Sequence, residues 1–382
     1  MSEIKKKKRI GIRQILSFAF SLLIGVACGF LISASVDRTI SEDAPYYVRL
    51  LIIAVHVMEM LLATYVQLII HESGHLVFGL MSGYRFSSFR IASFMWVKES
   101  GRIRFKRFSV AGTGGQCLMV PPDMKDGKIP VVLYNLGGTM MNAITSVLFL
   151  GLFFATASIP FLATSMLFLA AVGLILAITN GVPMRTGVID NDGYNAYALA
   201  RNSEAMRAFW VQLKVNEQIA AGVRLKDMPE EWFEVPSDEA MKNSMVSVVG
   251  VFACNRLMDE ERFAEADELM ARMLKRELGT AGLHRFMLVC DRAFVEMIAE
   301  NRKEVLDRMF SKEQKQFMNQ MKGFLGVIRT EYAYALFYER DMAKAEAIRA
   351  RFENRAKSYP YPIDVVSERE LMDIAERKAS EI

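Results

Sequence analysis

The stretch "LIIHESGHLVFGL", Leu68 to Leu80, places two histidines and one glutamate, and nothing else ionisable, inside an apolar run. On a helix His71 and His75 lie one turn apart on the same face, so both imidazoles can reach one ion. Glu72 sits next to the first of them, where its carboxylate can take a proton from water rather than bind the metal. The pattern His-Glu-x-x-His also arises by chance. In an apolar span, however, each unpartnered ionisable group costs several kcal/mol, and the chain has only four histidines in all. A metal centre is therefore the better reading.

The surroundings of that run are membrane-like. Of the 382 residues, 52% are hydrophobic, and the mean hydropathy is +0.18. Ile15 to Val36 and Ile129 to Met184 contain no Asp, Glu, Lys or Arg. A helix needs about 20 apolar residues to cross hydrocarbon, so the second block can cross twice, turning at "ATASIPFLATS" around Pro160. A third apolar segment, from after Arg49 to about Leu80, carries the histidine pair. Four spans are expected. The first also resembles a signal peptide, with a basic start and "SAS" at 33 to 35, but its full-span length favours an uncleaved anchor. Lys5 to Lys8, Arg9 and Arg13 precede the first span, and residues 83–128 are rich in Arg and Lys. The positive-inside bias then puts both in the cytoplasm, along with everything after Arg185. The expected location is the cell membrane, with both termini cytoplasmic and the lipid bilayer as one partner.

Outside the spans the chain changes character. "SFRIASFMWVKESGRIRFKRFSV" has two β-rich runs around "KESG", with alternation from Arg102 to Lys106, and predicts a β-hairpin whose edge can hold an extended peptide. From about Ser203 the sequence is polar and helix-forming. The segments beginning at Arg262, Asn301 and Asp341 recur about 39 to 40 residues apart. Such spacing suggests stacked helical hairpins resembling a degenerate tetratricopeptide array, with a non-repetitive bundle as the alternative. Charges of both signs are interspersed there, as on solvated helix faces, so a protein partner is expected and nucleic acid is not. Cys28, Cys117, Cys254 and Cys290 have no ribbon or redox spacing and read as reduced, buried small residues.

A catalytic zinc takes three protein ligands and leaves one position for water. The third is sought after the charge-free block, in "ITNGVPMRTGVIDNDGYNAYALA", which offers Asp190 and Asp192 at the cytoplasmic end of the last span. Together these elements resemble the site-2 proteases, zinc metalloproteases that cut within membranes. In that family the His-Glu-x-x-His helix pairs with a later span bearing Asn-x-x-Pro and then Asp-Gly. By that resemblance His71 and His75 are zinc ligands, Glu72 is the general base, and Asn180 and Pro183 match Asn-x-x-Pro. Asp192, which keeps its following glycine, matches the third ligand. "GGTMMN", Gly137 to Asn142, resembles the small-residue and Asn element of the intervening span. In the common family pattern Asp follows Pro by five residues. Val188 stands there, and the two acids lie farther on, which keeps Asp190 as the alternative ligand. The resemblance covers about residues 48 to 200, and no PDZ module is apparent.

The expected fold is thus an α-helical multi-pass membrane protein with a small β-hairpin insertion and an all-α, tetratricopeptide-like cytoplasmic domain. Its expected divisions are an anchor region (1–47), a zinc metalloprotease core (48–200, with the hairpin region at 83–128) and a cytoplasmic helical domain (201–382). The resemblance implies hydrolysis of peptide bonds in membrane-embedded or membrane-proximal proteins, in regulated proteolysis, with Asn180, Pro183 and Asn142 as substrate-binding or supporting residues. The chief alternative is a catalytically inactive membrane scaffold that recruits partners through its cytoplasmic helices. A transporter is disfavoured, because no pair of interrupted spans carries matching polar positions. His56 and Glu59 lie on the same helix as the motif, but Glu59 is about 18 Å of helix from His71 and cannot share its ion. They are read as a hydrogen-bonded pair among the spans.

Overall fold

A computed structural model describes residues 12–99, 101–110, 113–184, 190–275 and 278–381. The basic tract Lys5 to Arg9, Arg185 and Val188 lie outside the described residues. Helix α1 spans Ile12–Thr39 and α2 spans Tyr46–Met81. A short sheet follows, then α3 (Val131–Ala155) and α4 (Pro160–Gly181). Among the described residues four helices are long and apolar enough to cross a membrane: Ser21–Thr39 within α1, and the whole of α2, α3 and α4. Their composition explains them, since long Leu-, Ile- and Ala-rich runs satisfy their own backbone groups as helix. Pro160, which opens α4, needs no N–H partner in a first turn. Outward-facing Leu23, Phe30, Val147 and Phe154 are well exposed, as lipid-facing residues would be.

The chain forms two compact units. One comprises the residues up to Gln67 with Asn142–Ile175, and the other Leu68–Met141 with the residues from Leu176 on. The first unit has a polar interior. His56, Gln67 and Asn142 have no solvent exposure. Asn142 donates its amide to the backbone and side-chain oxygens of Gln67 (3.0 and 2.8 Å), and Gln67 donates to Leu169 O (2.8 Å), so one amide pair braces α2, α3 and α4.

The second unit holds the sheet: β1 (Arg85–Ile91), β2 (Phe94–Glu99), β3 (Arg102–Arg107) and β4 (Gly115–Val120), antiparallel in the order β3-β2-β1-β4. The expected hairpin is its β2–β3 half, closed at Glu99 opposite Arg102. Two features differ from the sequence reading. The hairpin is extended to four strands by β1 and β4, whose sequences "RFSSFRI" and "GQCLMV" carry little regular alternation. The alternation in β3 also buries no face: Ile103 and Phe105 are 63% and 55% exposed. The buried alternation belongs to β2, through Met95 and Val97.

Among the described residues ten α-helices follow: α5 (Asp192–Arg201), α6 (Ser203–Ala221), α7 (Ser244–Asp259), α8 (Phe263–Met273), α9 (Gly282–Ile298), α10 (Lys303–Met309), α11 (Lys312–Gln320), α12 (Leu325–Ala333, continued by a π-helical turn, Tyr334–Glu339), α13 (Met342–Ala356) and α14 (Pro362–Ala379). They share cores with the sheet. Phe209 and Met206 of α6 pack with Tyr84, Met119 and Tyr134, and Met95, Val97 and Phe108 join the core of the later helices. The repeated segments are the second helices of three hairpins, α7–α8, α9–α10 and α12–α13. Each hairpin turns at a residue with positive φ: Glu261 (59°), Asn301 (49°) and Arg340 (55°). An N–H at the turn returns to a carbonyl in the preceding helix: that of the following residue in two cases, Arg262 N to Leu257 O and Asp341 N to Ala335 O, and the turn residue's own in the third, Asn301 N to Glu296 O. A left-handed residue that closes a helix end in this way satisfies carbonyls otherwise left bare. Helices α11 and α14 fall outside the repeat.

Candidate metal centre

All the elements of the site belong to the second unit. On α2, the four-residue spacing stacks His71 and His75 with their rings nearly perpendicular (84°, centroids 4.9 Å apart). Asp192, the first residue of α5, brings Oδ2 to 3.0 Å from His71 Nε2 and 3.4 Å from His75 Nε2, and the two Nε2 atoms are 3.2 Å apart. Among the described residues this is the grouping of His, Cys, Asp or Glu able to hold a metal ion. Ligands bound at about 2.1 Å in a tetrahedron lie about 3.4 Å from one another, so the three atoms have the separation a zinc shell requires. Asp192 Oδ2 is buried and completes no aligned hydrogen bond, which leaves its lone pairs facing the same point as the rings. Burial raises the proton affinity of this carboxyl. The flanking imidazoles outweigh that and hold it well below the usual carboxylate range.

The histidine tautomer is set by the neighbouring helix. His75 Nδ1 lies 2.8 Å from the carbonyl of Tyr134, which can only accept, so Nδ1 carries the proton and Nε2 presents a lone pair. Tyr134 is itself anchored, donating its hydroxyl to Cys117 O of β4 (2.8 Å). Close approach is permitted by glycines. A Cβ on Gly138 would lie 2.6 Å from the His71 ring, so any side chain there would displace the ligand. Glu72 is 6% exposed and lies against β4, where a Cβ on Gly115 would meet its carboxylate at 2.5 Å. The guanidinium of the buried Arg90 backs this contact, donating to Thr113 Oγ1 (2.6 Å) and reaching Gly115 O (3.4 Å).

The other residues singled out in the sequence are placed as follows. Asp190 accepts from Ser244 Oγ (2.7 Å) and is not among the three converging ligand atoms. Asn180 donates to Leu176 O of its own helix (3.1 Å), and Pro183 is exposed just past the end of α4. Asn142 belongs to the amide brace of the first unit, with its buried amide bonded to Gln67. His56 and Glu59 form their pair at 2.8 Å, extended by Thr39 Oγ1 to His56 Nε2 (3.0 Å) and Ser165 Oγ to Glu59 Oε1 (3.2 Å).

Sequence reasoning missed Gln67, the Tyr134 carbonyl, Gly115, Arg90 and Asn191. A lone amide in an apolar helix was a legible signal for Gln67. A backbone carbonyl has no signal at all. No protein-family model, no curated protein and no solved structure matches the chain.

Proposed function

We propose that the chain is a zinc metalloprotease acting within the membrane, a divergent relative of the site-2 proteases, with its four apolar helices as spans and both termini cytoplasmic. The observation that carries this reading is the approach of His71 Nε2, His75 Nε2 and Asp192 Oδ2 to 3.0–3.4 Å of one another beside Glu72. Two imidazoles and a carboxylate fit zinc and leave the fourth tetrahedral position for a reactant. Zinc bound there supplies Lewis acidity toward water and the scissile carbonyl.

The chain's own groups do the rest. The Glu72 carboxylate takes the proton that the attacking water gives up and delivers it to the leaving amine nitrogen as the peptide C–N bond breaks. The Tyr134 carbonyl keeps the proton of His75 on Nδ1. A helical substrate must first unwind to expose its carbonyls. β4, an edge strand that starts beside Glu72, offers its backbone to such an extended segment. The three helical hairpins, arranged much as in tetratricopeptide arrays, recruit a protein partner.

The test is zinc analysis of the detergent-purified chain. The parent should hold about one zinc, His75→Ala and Asp192→Ala should lose it, and Asp190→Ala and Glu72→Ala should keep it. A metal-free parent with its fold intact would leave the scaffold reading, in which the helical hairpins carry the function.

A further inference from the structure

Asp192 is flanked by two residues that dock on the same helix end. After it, Gly193 is so close to the last turn of α4 that a Cβ would lie 2.2 Å from Gly181 O and 3.0 Å from Asn180 O. Before it, Asn191 makes four side-chain hydrogen bonds. Its Oδ1 accepts from Tyr194 N (2.9 Å) and Met184 N (3.0 Å), and its Nδ2 donates to Thr179 O (2.8 Å) and Val182 O (2.6 Å). The first of these bonds is an ordinary helix N-cap for α5, which Ser, Thr or Asp would serve as well. The two donated bonds are different. They reach two carbonyls at the C-terminal end of α4, and only an amide supplies the acceptor and both donors from one side chain.

We propose that Asn191 is a positioning residue of the metal site. By tying the first turn of α5 to the last turn of α4 it holds Asp192 Oδ2 against His71 and His75, and capping alone does not suffice. The assignment rests on the metal-site reading above. The residue acts through Asp192, which is only one position away, and fixes the direction from which that carboxylate enters.

The test uses the full chain in detergent. Zinc affinity is measured by chelator competition, the visible spectrum is recorded with Co²⁺ as a probe, and the metal-free protein is melted. Asn191→Ser keeps a neutral cap but loses the paired amide donors, and Asn191→Ala loses both. Asn202→Ala removes the equivalent cap of α6, whose Oδ1 accepts from Ala205 N (2.9 Å), and serves as the control for generic destabilisation. Both Asn191 variants should bind zinc about 10- to 100-fold more weakly and lose intensity in the tetrahedral Co²⁺ bands. Asn202→Ala should lower the melting temperature and leave affinity and spectrum alone. Parent-like affinity and spectrum in Asn191→Ser would overturn the assignment, as would an equal loss in Asn202→Ala. A parent that binds neither metal would overturn the metal-site reading and this assignment together, and that outcome is read on the parent alone.

Discussion

Helix α2 carries two histidine–glutamate constellations with opposite fates. His56 and Glu59 complete a chain of hydrogen bonds from Thr39 to Ser165 and lie against the rings of Phe161 and Phe168. His71 and His75 instead turn their Nε2 atoms on a point shared with Asp192 Oδ2, which completes no aligned hydrogen bond. An ionisable group in an apolar helix is therefore not in itself a sign of chemistry. The sign is convergence of ligand-type atoms on one point. The first arrangement pairs its groups with one another; the second is a grouping that could hold a cation.

The sharpest way to break this contrast is to neutralise one acid in each group. Glu72→Gln should retain zinc and lose about 10²- to 10⁴-fold in peptide-bond hydrolysis, measured on a membrane-embedded reporter substrate. Glu59→Gln should leave hydrolysis within about twofold of the parent, since its loss touches only a structural bond. Equal losses in both variants would erase the distinction. The reciprocal measurement is stability. His56→Leu leaves Glu59 and Thr39 without that partner and should cost about 1–3 kcal/mol in detergent melts, with zinc content unchanged.

A milder effect separates the C-terminal helices from the site. Asp364 and Glu368 on α14 are both pushed up to about 7, Asp364 by burial and by the charges of Glu368 and Asp259, Glu368 by burial and the charges of Asp291 and Asp259 against the opposing pull of Arg329. Because the folded-state values are raised, this contribution to stability is complete below about pH 4 and is lost as pH rises through about 7. Buried His284, held below its ordinary value, acts in the opposite sense over part of that window. The measurement is accordingly a difference: between pH 5 and 8 the parent should lose more melting temperature than Asp364→Asn does. The smallest effect expected is at a hairpin turn. Arg340→Gly relieves a left-handed backbone at φ 55° and should stabilise the chain by up to about 1 kcal/mol, provided the added freedom of the unfolded chain does not cancel the gain.

Much of this was legible in one dimension because it depends on neighbours in sequence. Long apolar runs, charge-free in α3, α4 and most of α1 and nearly so in α2, set the four long helices, and the four-residue spacing put both imidazoles on one face whatever else the chain did. The recurrence near 40 residues was legible too, since each hairpin turn is a local event. The exposed edge of β3 and the addition of β1 and β4 to the hairpin were not, because strand pairing joins residues whose own alternation is weak.

The choice between Asp190 and Asp192 lay wholly in tertiary structure. The two acids are two residues apart and chemically identical. Gly193 and Asn191 lock one of them onto the end of α4, while Ser244, far along the chain, binds the other. A sequence fixes which groups are available and their local spacing. Which lone pairs end on one point depends on how closely distant backbones can approach, and that is decided only when the helices pack.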